Sequence, residues 1–189
     1  MYIYGKNVAK EATNVEKVYV SKNFKEQDIL DKFDVPIVCV ENRKLDEMVN
    51  GNHQGIVLKV PDYEYSDITN ATGDFIVVLD HIEDPHNLGS IIRTCACAGI
   101  DSIIIPKDRS AKVNDTVMKV SEGTLDKVKI IMVTNITTTI NNLKNKGYFI
   151  YSSDMKGEDY RKLDTTGKKV LVIGNEGEGV GRLVKDTCD

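Results

Sequence analysis

The sequence predicts an α/β protein: a small N-terminal α/β domain, then a larger domain built on a parallel sheet. Three observations carry that expectation. Residues 74–189 alternate short Val/Ile-rich runs with helix-length segments, as a parallel sheet covered on both faces requires. Two of the strand-to-loop-to-helix passages, DHIEDPHNLGSIIRTCACAG (80–99) and LVIGNEGEGVG (171–181), hold most of the chemically distinctive residues. Residues 61–73, PDYEYSDITNATG, are polar and aperiodic and contain Pro and Gly, so they break the chain in two. The expected layout is a first domain over 1–62, a linker over 63–73 and a second domain over 74–189.

In the first domain, strands are expected at 17–21 (KVYVS), 36–40 (PIVCV) and 55–60 (GIVLKV), with helices around 27–33 and 45–49. In the second, strands are expected at 75–80, 102–105, 128–133, 148–152 and 169–173. Its helices are expected at 88–98, 112–120, 136–145 and 180–187. The first of these is the best specified. Asn87 stands at its N-cap position, where a side-chain oxygen can accept an orphan backbone N–H. Leu88, Ile91, Ile92 and Cys95 follow the i, i+3, i+4, i+7 pattern of a core-facing stripe, and Gly99 supplies the stop. Arg93 lies one step beyond the stripe, placed to reach the mouth of a sheet.

Composition narrows the class. With 41% apolar and 29% charged residues, the 189-residue chain reads as an ordinary globular protein. The net charge of -4 gives no global basic signature of a nucleic-acid binder, although a local patch is enough for one. No apolar run approaches the ~20 residues that span a bilayer. MYIYGKNVAKEA at the start lacks the basic opening and apolar core of a signal peptide, so a cytoplasmic protein without membrane contact is expected. Cys39, Cys95, Cys97 and Cys188 fit neither a disulfide framework nor a metal site. Cys95 and Cys97 diverge by about 200° on a helix. All four are expected to be reduced, buried thiols, and no metal is expected.

In an open parallel sheet, ligands bind beyond the carboxyl ends of the strands. That rule gathers 80–87, 152–154 and 174–179 at one edge. Gly174, Gly177 and Gly179 would permit positive φ and close backbone approach to a small molecule, or would only shape a tight turn. The spacing is not a dinucleotide fingerprint, since Val180-Gly181-Arg182 follows, and no G-K-[ST] Walker signature exists. Arg93 is either a salt-bridged surface group, with Glu176 as a candidate partner, or a functional cation. Asn87 could be a cap alone, and His86 a plain loop residue.

The string D-x-x-x-D-P-x-N-x-G-x-x-x-R-T-x-x-x-x-G at 80–99 resembles motif 1 of the SpoU (TrmH-type) RNA 2′-O-ribose methyltransferases, in the SPOUT superfamily. The string at 171–189 resembles motif 2 of that family, and VSEGTLDKVKI (120–130) fits the segment between them. YGKNVAKEA (4–12) and NHQGIVLKV (52–60) resemble the small ribosomal-protein-like RNA-binding domain that precedes the catalytic domain in many members.

The resemblance implies a trefoil-knot type of catalytic domain and S-adenosylmethionine as methyl donor. It places the family's catalytic asparagine, arginine and glutamate on Asn87, Arg93 and Glu176. It puts backbone contacts to the cofactor at Gly174, with Asn175, Gly177 and Gly179 in the same loop. Lys6, Asn7, Lys22, His53 and Gln54 are the candidate RNA contacts of the first domain. The two-domain layout most resembles enzymes acting on a guanosine of large-subunit ribosomal RNA, and the family's dimers imply a homodimer. Members carry a third motif after motif 2 that completes the knot and the adenine pocket. The sequence stops at Asp189, where that motif would begin, so a chain truncated before the knot-forming tail is expected. The rivals are an inactive truncated homologue serving as an RNA-binding or dimerisation module, a tRNA 2′-O-methyltransferase, and a Rossmann-like nucleotide enzyme disfavoured by the absent fingerprint.

Overall fold

Ile56, Val57 and Leu58 are three consecutive residues with no exposed surface, so the strand that holds them must be covered on both faces. In the computed structural model, which describes residues 1–189, this strand lies inside the first of two compact units, Met1–Glu64 and Tyr65–Asp189. The first unit runs β1 (Tyr2–Tyr4), α1 (Lys6–Glu11), β2 (Lys17–Ser21), α2 (Gln27–Leu30), β3 (Ile37–Val40), α3 (Asn42–Met48) and β4 (Ile56–Lys59). Its sheet has the order β1-β4-β2-β3, with β2 and β3 parallel and β4 antiparallel to both neighbours. Ile3, Ala9, Val18, Ile29 and Leu45 complete the core.

The second unit runs β5 (Phe75–Asp80), α4 (Pro85–Cys97), β6 (Ser102–Pro106), α5 (Asp115–Val120), β7 (Lys129–Val133), α6 (Ile136–Asn145), β8 (Phe149–Ser152), β9 (Lys169–Gly174) and α7 (Arg182–Lys185). All pairings in its sheet are parallel, in the order β7-β6-β5-β9-β8. Successive side chains of a strand face opposite sides. On one side Ile76, Val78, Ile104, Val170 and Val172 join Ile136, Ile140 and Leu143 of α6 and Val184 of α7 in one core cluster. The alternate residues Val77, Leu79, Ile103 and Ile105 are equally buried and need cover on the other side. Buried Leu88 and Ile92 of α4 and Val117 of α5 supply that apolar surface.

The α/β class and the parallel sheet agree with the sequence, and several boundaries move for identifiable reasons. The helix expected over 112–120 begins at Asp115, because the Asn114 side chain accepts from Val117 N at 3.0 Å and caps it there. The segment expected as a linker does more than connect. Ser66 pairs with Ile131 beside β7, Tyr65 Oη accepts from Val113 N, and Ile68 and Ala71 pack on the core cluster. Polar residues hid this, because backbone pairing and two apolar contacts suffice to dock the segment. The thiols also differ from expectation: Cys95 is buried, Cys188 half-buried, and Cys39 and Cys97 are exposed. The divergence of Cys95 and Cys97 around α4 puts only one of them on the buried side. No helix is long and apolar enough to cross a membrane.

Candidate active site

From β5 the chain moves outward one way through β6 and β7, then returns to fill β9 and β8 on the opposite side. The strand order therefore reverses between β5 and β9, where an open parallel sheet leaves a ligand crevice. Asp80 and Gly174 end these strands as register partners, so both motif loops leave the sheet side by side.

Three hydrogen bonds lock the loops together. His81, in a left-handed conformation (φ 60°), presents its carbonyl to Asn175 Nδ2 at 3.1 Å. Asp80 Oδ2 accepts from Gly181 N at 2.7 Å, at the N-terminus of α7. Asn87 Nδ2 donates to Glu176 Oε1 at 2.8 Å, joining α4 to the loop after β9. Asn175 also folds back to accept from Gly177 N at 2.8 Å, and its backbone bridges Gly179.

Asp80 is fully buried. Its Oδ1 lies 2.6 Å from His81 Nδ1, but the alignment makes no hydrogen bond, so a buried carboxylate oxygen has no satisfied partner. A buried polar group left short of hydrogen bonds at the end of a central strand is costly unless it positions something. What it positions here is the entry to α7.

The sequence missed the true helix cap. Pro85 occupies the first turn of α4 and has no N–H, so the cap is Asp84, whose Oδ1 accepts from His86 N at 2.8 Å. Asn87 is thereby released from capping and free to reach Glu176. The expectation that Glu176 pairs with Arg93 is corrected as well. Arg93 Nη1 binds Glu122 Oε1 at 2.7 Å, in the turn after α5. Arg93 lies six positions after Asn87 on the helix, about 9 Å along the axis and about 120° around it, so they face different ways. Of the three expected catalytic residues, the structure joins Asn87 and Glu176 and sets Arg93 apart, with its side chain 41% exposed. Nothing in the local spacing pointed to Glu122, although its own positive φ (50°) and the following Gly123 mark a tight turn.

The glycines divide by role. Of Gly174, Gly177 and Gly179, only Gly179 has a positive φ (71°). A Cβ on Gly174 would lie 2.0 Å from the Gly179 carbonyl carbon, so that glycine is required by the loop folding onto its own strand. Nothing stands within 4 Å of the Cβ position at Gly179, so the loop is open there. A fixed, glycine-edged loop open on one side at a switch point fits a small-molecule donor held by backbone groups.

Elsewhere the chain shows no group of three or more His, Cys, Asp or Glu arranged to hold a metal ion. In the first unit, Lys6, His53 and Gln54 line one cleft, whereas Asn7 and Lys22 are not among its walls. Lys6 Nζ is bonded to Glu26 and Lys22 Nζ to Glu41. The Glu41 carboxylate, by hydrogen bond and by charge, raises the Lys22 ammonium pKa. Gln54 Oε1 accepts from Lys6 N at 2.9 Å. His53 Nδ1 accepts from Gly55 N at 2.9 Å, which assigns the proton to Nε2, 3.0 Å from Asp46 Oδ1. His53 therefore has both ring nitrogens engaged, and Gln54 has its side-chain oxygen engaged.

Comparison with known proteins matches this layout. The SpoU rRNA Methylase family model covers residues 74–189, and the RNA 2′-O ribose methyltransferase substrate-binding model covers residues 2–66. The chain belongs to the SpoU methylase family. It is 37% identical over 207 residues to YacO of Bacillus subtilis, assigned to the TrmH family of tRNA/rRNA methyltransferases, covering 100% of this chain and 83% of that protein. A Staphylococcus aureus protein assigned to the same family is 38% identical over 179 residues, 90% of this chain and 70% of its own length. Among solved structures, the SpoU methyltransferase AviRb of Streptomyces viridochromogenes, in complex with AdoMet, superposes with a TM-score of 0.77 at 20% identity. The match covers 100% of this chain and 78% of AviRb. That likeness shows the fold of both units. A TrmH/SpoU tRNA modifying enzyme of A. aeolicus covers 62% of this chain and 60% of its own, at 29% identity and a TM-score of 0.56.

Proposed function

We propose that this SpoU family member transfers a methyl group from S-adenosylmethionine to a ribose 2′-hydroxyl of RNA, with a guanosine of large-subunit ribosomal RNA as its target. The observation that carries the reading is the Asn87–Glu176 bond, which ties the two family motifs together at the switch point. The matched substrate-binding unit over residues 2–66 supports RNA as the substrate class. Bound at the 174–179 loop, the sulfonium donor would supply an electrophilic methyl group, and no metal is called for.

The chain's own groups have separable tasks. Glu176 fixes the Asn87 amide by accepting from its Nδ2, which leaves Oδ1 to accept from the ribose hydroxyl and orient it. A guanidinium has five N–H donors and no acceptor, so Arg93 serves as a cation and not as a base. Its guanidinium can exchange Glu122 for an RNA phosphate and favour charge developing on the hydroxyl oxygen. The separation of Arg93 from the Asn87–Glu176 pair favours a homodimer, in which one copy's Arg93 serves the other's pair.

Transfer of tritiated methyl from S-adenosylmethionine to ribosomal RNA transcripts, mapped by alkali resistance of the neighbouring bond, tests this. Label in the base, or no label together with no cofactor binding at millimolar concentration, would sink it. The tRNA/rRNA assignment of the relatives makes tRNA the second substrate to assay. Label in tRNA alone would transfer the reading to that RNA.

A further inference from the structure

The cleft in the first unit has a volume of about 350 Å³, the scale of a small-ligand site. Its walls are rich in side-chain amides: Asn23, Asn42 and Asn52 stand around the half-buried ring of Phe24, with Lys25 and Glu26 beside them. Asn23 and Asn42 are exposed and make no side-chain hydrogen bond within the chain. Asn52 uses only its Oδ1, on Gln54 N at 3.2 Å. Each free amide offers both donors and acceptors, the complement of a nucleobase edge.

Two further features shape the cleft. Gln54 (φ 52°) and Gly55 (φ 83°) are consecutive left-handed residues, a conformation that is strained at Gln54. A Cβ at Gly55 would sit 3.2 Å from Phe24 Cδ2, so this turn is pressed against the ring and holds it in place. Charge is nearly balanced, because the Lys6 ammonium, 5.9 Å from the Phe24 ring centroid and so over one face of the ring, is bonded to Glu26, and that bond holds the Glu26 carboxyl below its ordinary range. Lys25 forms no ion pair. A balanced, amide-lined cleft with an aromatic wall suits a planar, uncharged, hydrogen-bonding group better than a phosphate.

We infer that this cleft seats one unpaired nucleobase of the RNA substrate, stacked on Phe24 and bonded by Asn23, Asn42 and Asn52, with Lys25 on its phosphate. The inference rests on the RNA reading above. Proteins read unpaired RNA by this combination of aromatic stacking and edge hydrogen bonds.

The test titrates the full, ¹⁵N-labelled chain with single-stranded nine-nucleotide A and U oligomers and with a G·C-rich RNA duplex of the same length. Single strands should shift the side-chain NH₂ resonances of Asn23, Asn42 and Asn52, and the duplex should not. Phe24→Ala should weaken single-strand binding about 10- to 100-fold, with Phe24→Tyr restoring it. Asn42→Ala, at an exposed site, should weaken it without touching the core. Equal shifts with duplex, or unchanged affinity in both Phe24→Ala and Asn42→Ala, would overturn the inference. Methyl transfer by the unaltered chain, measured in parallel, separates the two claims. Methylation with silent amides removes the cleft proposal alone, whereas absence of both RNA and cofactor binding removes the function on which it rests.

Discussion

A hydrogen bond of 2.8 Å between Asn87 and Glu176 joins two segments 89 residues apart at the end of the sheet. Asn87→Ala leaves Glu176 without its donor and removes the amide proposed to orient the hydroxyl, so kcat should fall about 10²-fold, as when a positioned polar group is lost. S-adenosylmethionine affinity, read by calorimetry, should hold, because Gly174 and Asn175 keep their own bonds. Arg93→Ala should abolish methylation nearly completely with cofactor binding retained; unchanged turnover would remove Arg93 from the mechanism. The residue types of this site were legible from the motif strings, but their pairing was not. Asn87 resembles a cap by residue type, but Asp84-Pro85 is the stronger signature, with Pro at the first helical position. Arg93 finds Glu122 only through the packing of α4 on α5. The thiols give a separate check. Burial pushes the Cys95 thiol up to about 11, and only the thiolate reacts. Iodoacetamide at pH 8 should therefore alkylate exposed Cys39 and Cys97 well before Cys95, as mapped by peptide mass spectrometry.

Helices α4 and α5 meet where Gly89 has no side chain. A Cβ there would lie 2.8 Å from Val120 Cβ and 3.1 Å from the Val117 carbonyl oxygen, so the helices would have to part. Gly89→Ala should cost about 1–3 kcal/mol, the usual penalty for overpacking. Calorimetry should show a Tm about 2–4 °C lower for each kcal/mol lost. Because Arg93 rides on α4 and Glu122 follows α5, the same change should weaken methyl transfer. A Tm within 1 °C of the parent would mean the helices are looser than this contact implies. Elements of this unit were legible where burial is continuous: β5 (75–80) and α6 (136–145) fall where the Val/Ile run and the apolar period place them. β1 and α1 were not expected from the sequence. The first is three residues long and the second buries only Ala9, so neither writes enough of a pattern to be read.

For the whole molecule, a net charge of -4 has to be reconciled with a polyanionic substrate. Lys6, Lys22, Lys59 and Lys144 are each bonded to a carboxylate, which neutralises those four ammonium groups. At the proposed RNA contacts themselves, the cations available to phosphates are Lys25 beside the amide cleft and Arg93 once it exchanges Glu122. Counterion release then predicts a shallow salt dependence, since log K falls by about 0.7 per phosphate neutralised on a single strand. With two or three contacts, the slope of log K against log salt should lie near -1.4 to -2. Raising salt from about 50 to about 200 mM should then weaken binding only about tenfold, against roughly 300-fold for a protein gripping six phosphates of a single strand. Fluorescence anisotropy with a labelled single strand measures this directly, and Lys25→Gln should make the slope shallower by about 0.7. A slope steeper than about -4 would show that a basic surface, and not base contacts in the cleft, supplies the affinity.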